Sequence, residues 1–288
     1  MAWRTVAVGS AGNAMKKSLA VLATLAISAV LADDLSTPEA STARGWAILQ
    51  QGVTNKRAGK RVNAIHALRL LPNNPQAQKM AENALADSNL KVRAAAARTL
   101  GLMKAVSSCP KLKRLLRDKE PAVVLAAAHS LFLLGHPEDA YEIYFQVLSG
   151  QRKGAHTFVA SQLDQLKDSK TVAMMGVETG VGFAPFGGPA YEVFKRVRED
   201  RSSPVRAAAT KELAADHDVK IDAALAKACS DKKWAVRAAA VYAIAKRDDP
   251  ALLGVVAGAL EDKNEIVRYE ASAAVLRLSG GGHMVQTR

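Results

Sequence analysis

Asp231-Lys-Lys-Trp-Ala-Val236-Arg237-Ala-Ala-Ala240-Val-Tyr242-Ala-Ile244 decides the fold, because its pattern returns along the chain. Asp87 and Asp118 stand 31 residues apart, and so do Asp200, Asp231 and Asp262. Five residues after each aspartate comes a valine: Val92, Val123, Val205, Val236 or Val267. An arginine follows at Arg93, Arg206, Arg237 and Arg268, with Val124 as the exception. Nine after the aspartate stands Ala96, Ala127, Ala209, Ala240 or Ala271, and thirteen after it Leu100, Leu131, Leu213, Ile244 or Val275. Steps of four keep these residues on one helical face, and that face is apolar in every copy. A unit of this length cannot bury such a face alone, so the units must stack. The expected fold is all-α, an α-solenoid of about seven antiparallel helix pairs.

The aspartate, the Val-Arg step and the alanine-rich helix resemble the HEAT repeat, in the variety found in phycobilisome-lyase-like proteins. The resemblance implies two antiparallel helices per unit, with the aspartate in the turn and the arginine opening the second helix. It also implies an Asp-Arg ladder along the stack, with Asp87, Asp200, Asp231 and Asp262 beside Arg93, Arg206, Arg237 and Arg268. Asp118 belongs to the same ladder, and Val124 breaks it. The ladder reads as structural, tying turns to helix starts through charge-assisted hydrogen bonds. This fold hosts enzymes, adaptors and nucleic-acid binders, so fold alone does not name a function.

The chain of 288 residues is 49% hydrophobic and only 5% aromatic, as an alanine-packed stack would be. Its formal charge is +13, of which +10 remains for residues 33 to 288 once Arg4, Lys16 and Lys17 are set aside. That excess suits acidic partners, and it also suits a solvated basic surface.

Residues 1–32 read as a leader whose core, 15–32, has a basic start, an apolar run and a small-residue exit at Val30-Leu31-Ala32. This is the layout of a secretory signal cleaved near Ala32-Asp33, giving a periplasmic or secreted protein. Either Met1 or Met15 serves as the start under this reading. Residues 33–41 read as a flexible linker and 280–288 as a flexible tail. Between them lie N-terminal repeats over 42–167, an insertion over 168–187 and C-terminal repeats over 188–279. The first unit, with helices over 42–53 and 61–71, lacks the Asp-Arg pair and reads as a cap with one face in water.

The insertion carries Met174, Met175, Phe183 and Phe186 among several glycines. No Gly-Lys-Ser/Thr follows them, which sets a nucleotide loop aside. The segment reads either as an apolar cover over the core or as a contact surface for a partner or a membrane.

The six histidines never stand beside a glutamate, so the His-Glu pairs of the similarly folded deoxyhypusine hydroxylases are missing, as is any HExxH zinc motif. No catalytic residue, metal site or cofactor is nominated. Cys109 and Cys229 lie too far apart along a straight stack for a disulfide.

In the resembled family the second helices line the concave side. Eleven after the aspartates stand Arg98, His129, Lys211, Tyr242 and Ala273, and seven after stand Leu125 and Tyr269 among alanines. These positions form a candidate groove with basic and aromatic studs for an acidic or helical protein segment. The expected function is a non-enzymatic scaffold for protein-protein interaction after export. Two alternatives stay open: a basic nucleic-acid binder or DNA-glycosylase-like enzyme, and a bilin-lyase-like protein that attaches a cofactor.

Overall fold

The computed structural model describes residues 37–148 and 219–281, together with Ala207, Thr210, Lys211 and Leu213–Ala215. The leader, the insertion with Met174, Met175, Phe183 and Phe186, and the ladder positions Asp200 and Arg206 lie outside the described residues. The described residues are helical throughout, in pairs joined by short turns. They comprise α1 Pro38–Val53, α2 Ala58–Ala67, α3 Pro75–Ala84, α4 Leu90–Leu102, α5 Cys109–Leu115, α6 Pro121–Leu133 and α7 Pro137–Leu148, then α8 Val219–Ala228, α9 Trp234–Arg247, α10 Leu253–Gly258 and α11 Glu265–Leu276.

Local chemistry sets the helix starts. The Asn74 side chain accepts from Ala77 N ahead of Pro75, while Asn89 and Asn264 accept from Lys91 N and Ile266 N. Each satisfies one of the first-turn amides that has no partner inside the helix. The recurring aspartate works one step earlier. Asp87, Asp118, Asp231 and Asp262 each accept the backbone N–H two residues on, at 2.7–2.9 Å, folding the turn that feeds the second helix. Thr37 caps α1, so helix begins at Pro38 inside the stretch expected to be linker.

The second helices α4, α6, α9 and α11 carry the apolar columns expected of them. Ala96, Ala127, Ala240 and Ala271, with Leu100, Leu131, Ile244 and Val275, are all fully buried. Small residues let these helices lie close together. The Ser130 hydroxyl donates to Ala97 O across the α4–α6 contact at 2.8 Å, and a Cβ on Gly101 would meet Ser130 at 2.9 Å.

The ladder forms, but its rungs run between units. Arg93 Nε and Nη2 donate to Asp118 at 2.9 and 3.0 Å, and Arg237 donates to Asp262 in the same fork at 2.6 and 2.7 Å. The aspartate of the arginine's own unit gives only its backbone carbonyl, as Arg93 Nη1 to Asp87 O at 2.9 Å shows. Pairing within one unit, the arrangement expected from sequence, is therefore corrected. An arginine opening a helix already lies over its own turn, so its fork extends to the next one. Burial pushes Asp87, Asp118 and Asp262 up, but their arginines and the turn N–H outweigh it and hold each carboxyl below its ordinary value.

Arg61 extends the ladder into the first unit, forking onto Asp87 at 2.8 Å through both nitrogens. Between units the rule also accounts for the break. The partner position for residue 124 is Ser149, so arginine and carboxylate are missing together. Val124 instead packs with Ala128, Ala140 and Ile143 between α6 and α7.

The larger departure concerns the first unit. Its α1 does not face water, because it lies along α11, which also touches α2. Ser41, Gly45, Ile48, Leu49 and Gly52 form the buried stripe of α1. A Cβ at Gly45 would meet Ser272 O at 3.2 Å, and one at Gly52 would come within 2.6 Å of the Tyr269 ring. Thr42 and Ser279 share a hydrogen bond at 3.0 Å, and Lys60 pairs with Glu265 at 2.9 Å. The described units thus run in the order α8–α9, α10–α11, α1–α2, α3–α4, α5–α6. One core cluster extends from Leu225 through this seam to Leu134.

Candidate partner-binding face

Residues seven, eleven and fifteen after each aspartate lie one turn apart on the same side of a second helix. On α4 they are Ala94, Arg98 and Leu102, on α6 Leu125, His129 and Leu133, and on α9 Ala238, Tyr242 and Lys246. Arg98 and His129 are neighbours across the α4–α6 contact. Partial burial first, and then the Arg98 charge, hold the His129 imidazole below its ordinary pKa. Leu125 is half-buried against the small cluster that α6 shares with α7.

Tyr242 is the centre of a cationic group. Lys211 lies 4.9 Å from its ring centroid, Arg69 5.1 Å and Lys246 5.8 Å, each within the roughly 6 Å over which the ring quadrupole attracts a cation. Sequence spacing brought Lys211 and Tyr242 together correctly. Arg69 and Lys246 complete the group from opposite sides of the seam. Partial burial, and then Arg277, Arg69 and Lys104, push the Lys246 ammonium below its ordinary value. Lys104 lies two residues past the end of α4, whereas Lys246 belongs to α9, and α11 and α2 come between them in the stack.

Tyr269 is corrected. It is only 7% exposed, because its ring fills the space that Gly52 leaves on α1. It belongs to the seam and is no stud of an open groove. Ala273 beside it is fully buried, as is Leu70 on the facing unit.

Directly beneath the cationic group lies Glu270, 2% exposed, which accepts from Arg69 Nη1 at 2.8 Å and stands 3.7 Å from His66 Nδ1. Burial pushes this carboxyl up, but the Arg69 charge, with His66 beside it, wins and brings it to about 2. Arg69 Nη1 also donates to His66 O at 3.0 Å, so one guanidinium joins the carboxylate of α11 to the end of α2. Sequence reading missed Glu270 and Arg69, although a signal was present. Eight after the aspartates stand Ala95, Ala126 and Ala239, and only the last copy places a glutamate there.

Elsewhere the chemistry is sparse. His136, Glu138 and Asp139 bring ligating atoms within 4.8 Å of one another, but Asp139 is engaged by Lys113 at 2.9 Å. Cys109 and Cys229 are free thiols, and burial raises both, Cys229 to about 12, which keeps it unreactive. Among the described residues no helix is long and apolar enough to cross a membrane.

Comparison with solved structures finds human deoxyhypusine hydroxylase in complex with glycerol. It is 18% identical, the match covers 83% of this chain and 96% of that one, and the TM-score is 0.32. An engineered protein matches at 15% identity over 81% of this chain and 96% of its own, with a TM-score of 0.27. Neither likeness is close enough to carry an argument about activity. No curated protein matches the chain. The family model for HEAT repeats matches residues 46–132 and 192–277, which is more than half of the sequence and takes in the Val-Arg steps of both halves. With its paired helices, buried alanine columns and Asp-Arg rungs, the chain belongs to the HEAT-repeat family.

Proposed function

We propose that the protein is an exported, non-enzymatic HEAT-repeat scaffold that captures a protein partner on the inner face of its second helices. The observation that carries this reading is the group around Tyr242, where Lys211, Arg69 and Lys246 gather at one half-buried aromatic ring. The Asp-Arg rungs support the phycobilisome-lyase-like variety of repeat, and the apolar run at 15–32 supports export with cleavage before Asp33. Repeat stacks offer extended concave surfaces of this kind to their partners.

The test uses the chain recovered from fractionated expressing cells. In the exported fraction its intact mass should begin at Asp33, and it should retain a partner that Arg98→Glu with Lys211→Glu releases while helix content is unchanged. An uncleaved cytoplasmic chain would contradict export, and undiminished capture by the double variant would remove the inner face from consideration.

A further inference from the structure

The inner face changes character along the stack. Fifteen after the aspartates, α9 carries Lys246 one residue before its end and α11 is followed by Arg277, whereas α4 and α6 end in Leu102 and Leu133. Those leucines are 46% and 44% exposed, and Phe132 beside Leu133 is 43% exposed, with its ring 6.1 Å from that of Tyr141. Apolar side chains this large and this exposed on neighbouring helices mark a contact surface.

At the other end positive charge is left over. Glu270 is taken by Arg69, and Asp248 by Arg277 at 2.9 Å. Lys246 and Lys104 are both exposed, and neither has a carboxylate partner among the described residues. Lys246 lies 5.8 Å from the Tyr242 ring centroid and Lys211 4.9 Å, and like charges gathered at one ring are stabilised by an incoming anion. Lys104 has φ 58, in the left-handed region, and its place directly after α4 puts it two residues from Leu102. The basic and apolar halves therefore adjoin at the end of one helix.

We infer that this face takes a protein segment whose carboxylates seat against Lys246 and Lys104 beside Tyr242, and whose adjoining apolar side chains lie on Leu102, Leu133 and Phe132. A nucleic acid would satisfy the cations, but its polar sugar-phosphate backbone and planar bases offer no bulky aliphatic side chains to cover the leucines. The inference rests on the scaffold reading above and specifies the chemistry of the partner. Because Arg69 and Lys104 come from N-terminal units and Tyr242 and Lys246 from C-terminal ones, the receptor is complete only when the seam is formed.

The probe is a fluorescein-labelled peptide of a glutamate run followed by leucine and phenylalanine, titrated with the full chain and read by anisotropy. It should bind at low salt and weaken as salt rises, because exposed charges are screened. Lys246→Glu should cost about tenfold or more in affinity, as should replacing the peptide's glutamates by glutamine, about 1.4 kcal/mol each. Leu133→Ser, or serine in place of the peptide's leucine and phenylalanine, should weaken binding several-fold. Both substituted residues are exposed, so circular dichroism should be unchanged. Equal binding by Lys246→Glu and the original protein would overturn the inference. So would indifference to the peptide's apolar residues, or tighter binding of an oligothymidine strand. If Lys246→Glu left partner capture intact while Arg98→Glu with Lys211→Glu abolished it, the scaffold would stand and this site would fall.

Discussion

Glu270 is a carboxylate placed where every other described copy of the repeat puts alanine, and it stays ionised because Arg69 and His66 reach it from the first unit. Its pKa falls from 4.5 to about 2 on folding. A depressed carboxyl contributes stability that is fully present above the unfolded value and is lost as pH falls from about 4.5 towards 2. The contribution is about 3 kcal/mol. Glu270→Gln should therefore be less stable than the original chain by about that amount at pH 7, since it leaves the buried Arg69 charge uncompensated. The deficit should shrink towards nothing as pH approaches 2. Urea unfolding of both chains across this range checks it, and a deficit independent of pH would contradict the assignment. The ladder aspartates titrate in the same direction in both chains and cancel from the difference.

Among the elements, α1 decides how the repeats assemble. Its Gly52 sits under the Tyr269 ring, and a Cβ there would come within 2.5 Å of Ala64 Cβ and 2.6 Å of the ring edge. Helix propensity alone favours alanine over glycine by roughly 1 kcal/mol. Overpacking a closed contact costs about 1–3 kcal/mol and should win. Gly52→Ala is expected to lower the urea midpoint, whereas a raised midpoint would show that α1 is not pressed against α11.

What sequence could and could not show divides along the same line. The alanine and leucine columns nine and thirteen after each aspartate were legible, because a period of one helical turn maps directly onto one buried face. Rung direction was not, since Arg93 lies six residues from Asp87 and 25 from Asp118, and spacing alone allows either. The seam was also illegible. The stripe of Gly45, Ile48, Leu49 and Gly52 says that α1 buries a face, but nothing local says that the covering helix lies more than two hundred residues downstream. The candidate studs fared accordingly. Tyr242 and Lys211 follow from the period within one half, whereas Arg69 and Lys246 meet only across the seam, and Tyr269 is buried by it.

At the scale of the molecule, the seam makes the C-terminal units precede the N-terminal ones in a single stack. An end unit that would otherwise expose an apolar face covers it with the opposite end of the same chain, which is why the first unit lacks the polar outer face expected of a cap. The same joint gathers Arg69, Tyr242 and Lys246 at one place. The proposed partner face therefore depends on the two ends meeting. Thr42 and Ser279 offer the most direct check, as their hydroxyl oxygens are 3.0 Å apart and 237 residues separate them. With Cys109 and Cys229 replaced by alanine, Thr42→Cys with Ser279→Cys should oxidise to an intramolecular disulfide under mild conditions. The monomer should then run as a cyclised chain on a denaturing gel and return to linear mobility with reductant. A pair that stays reduced, or that links only separate copies, would contradict the seam.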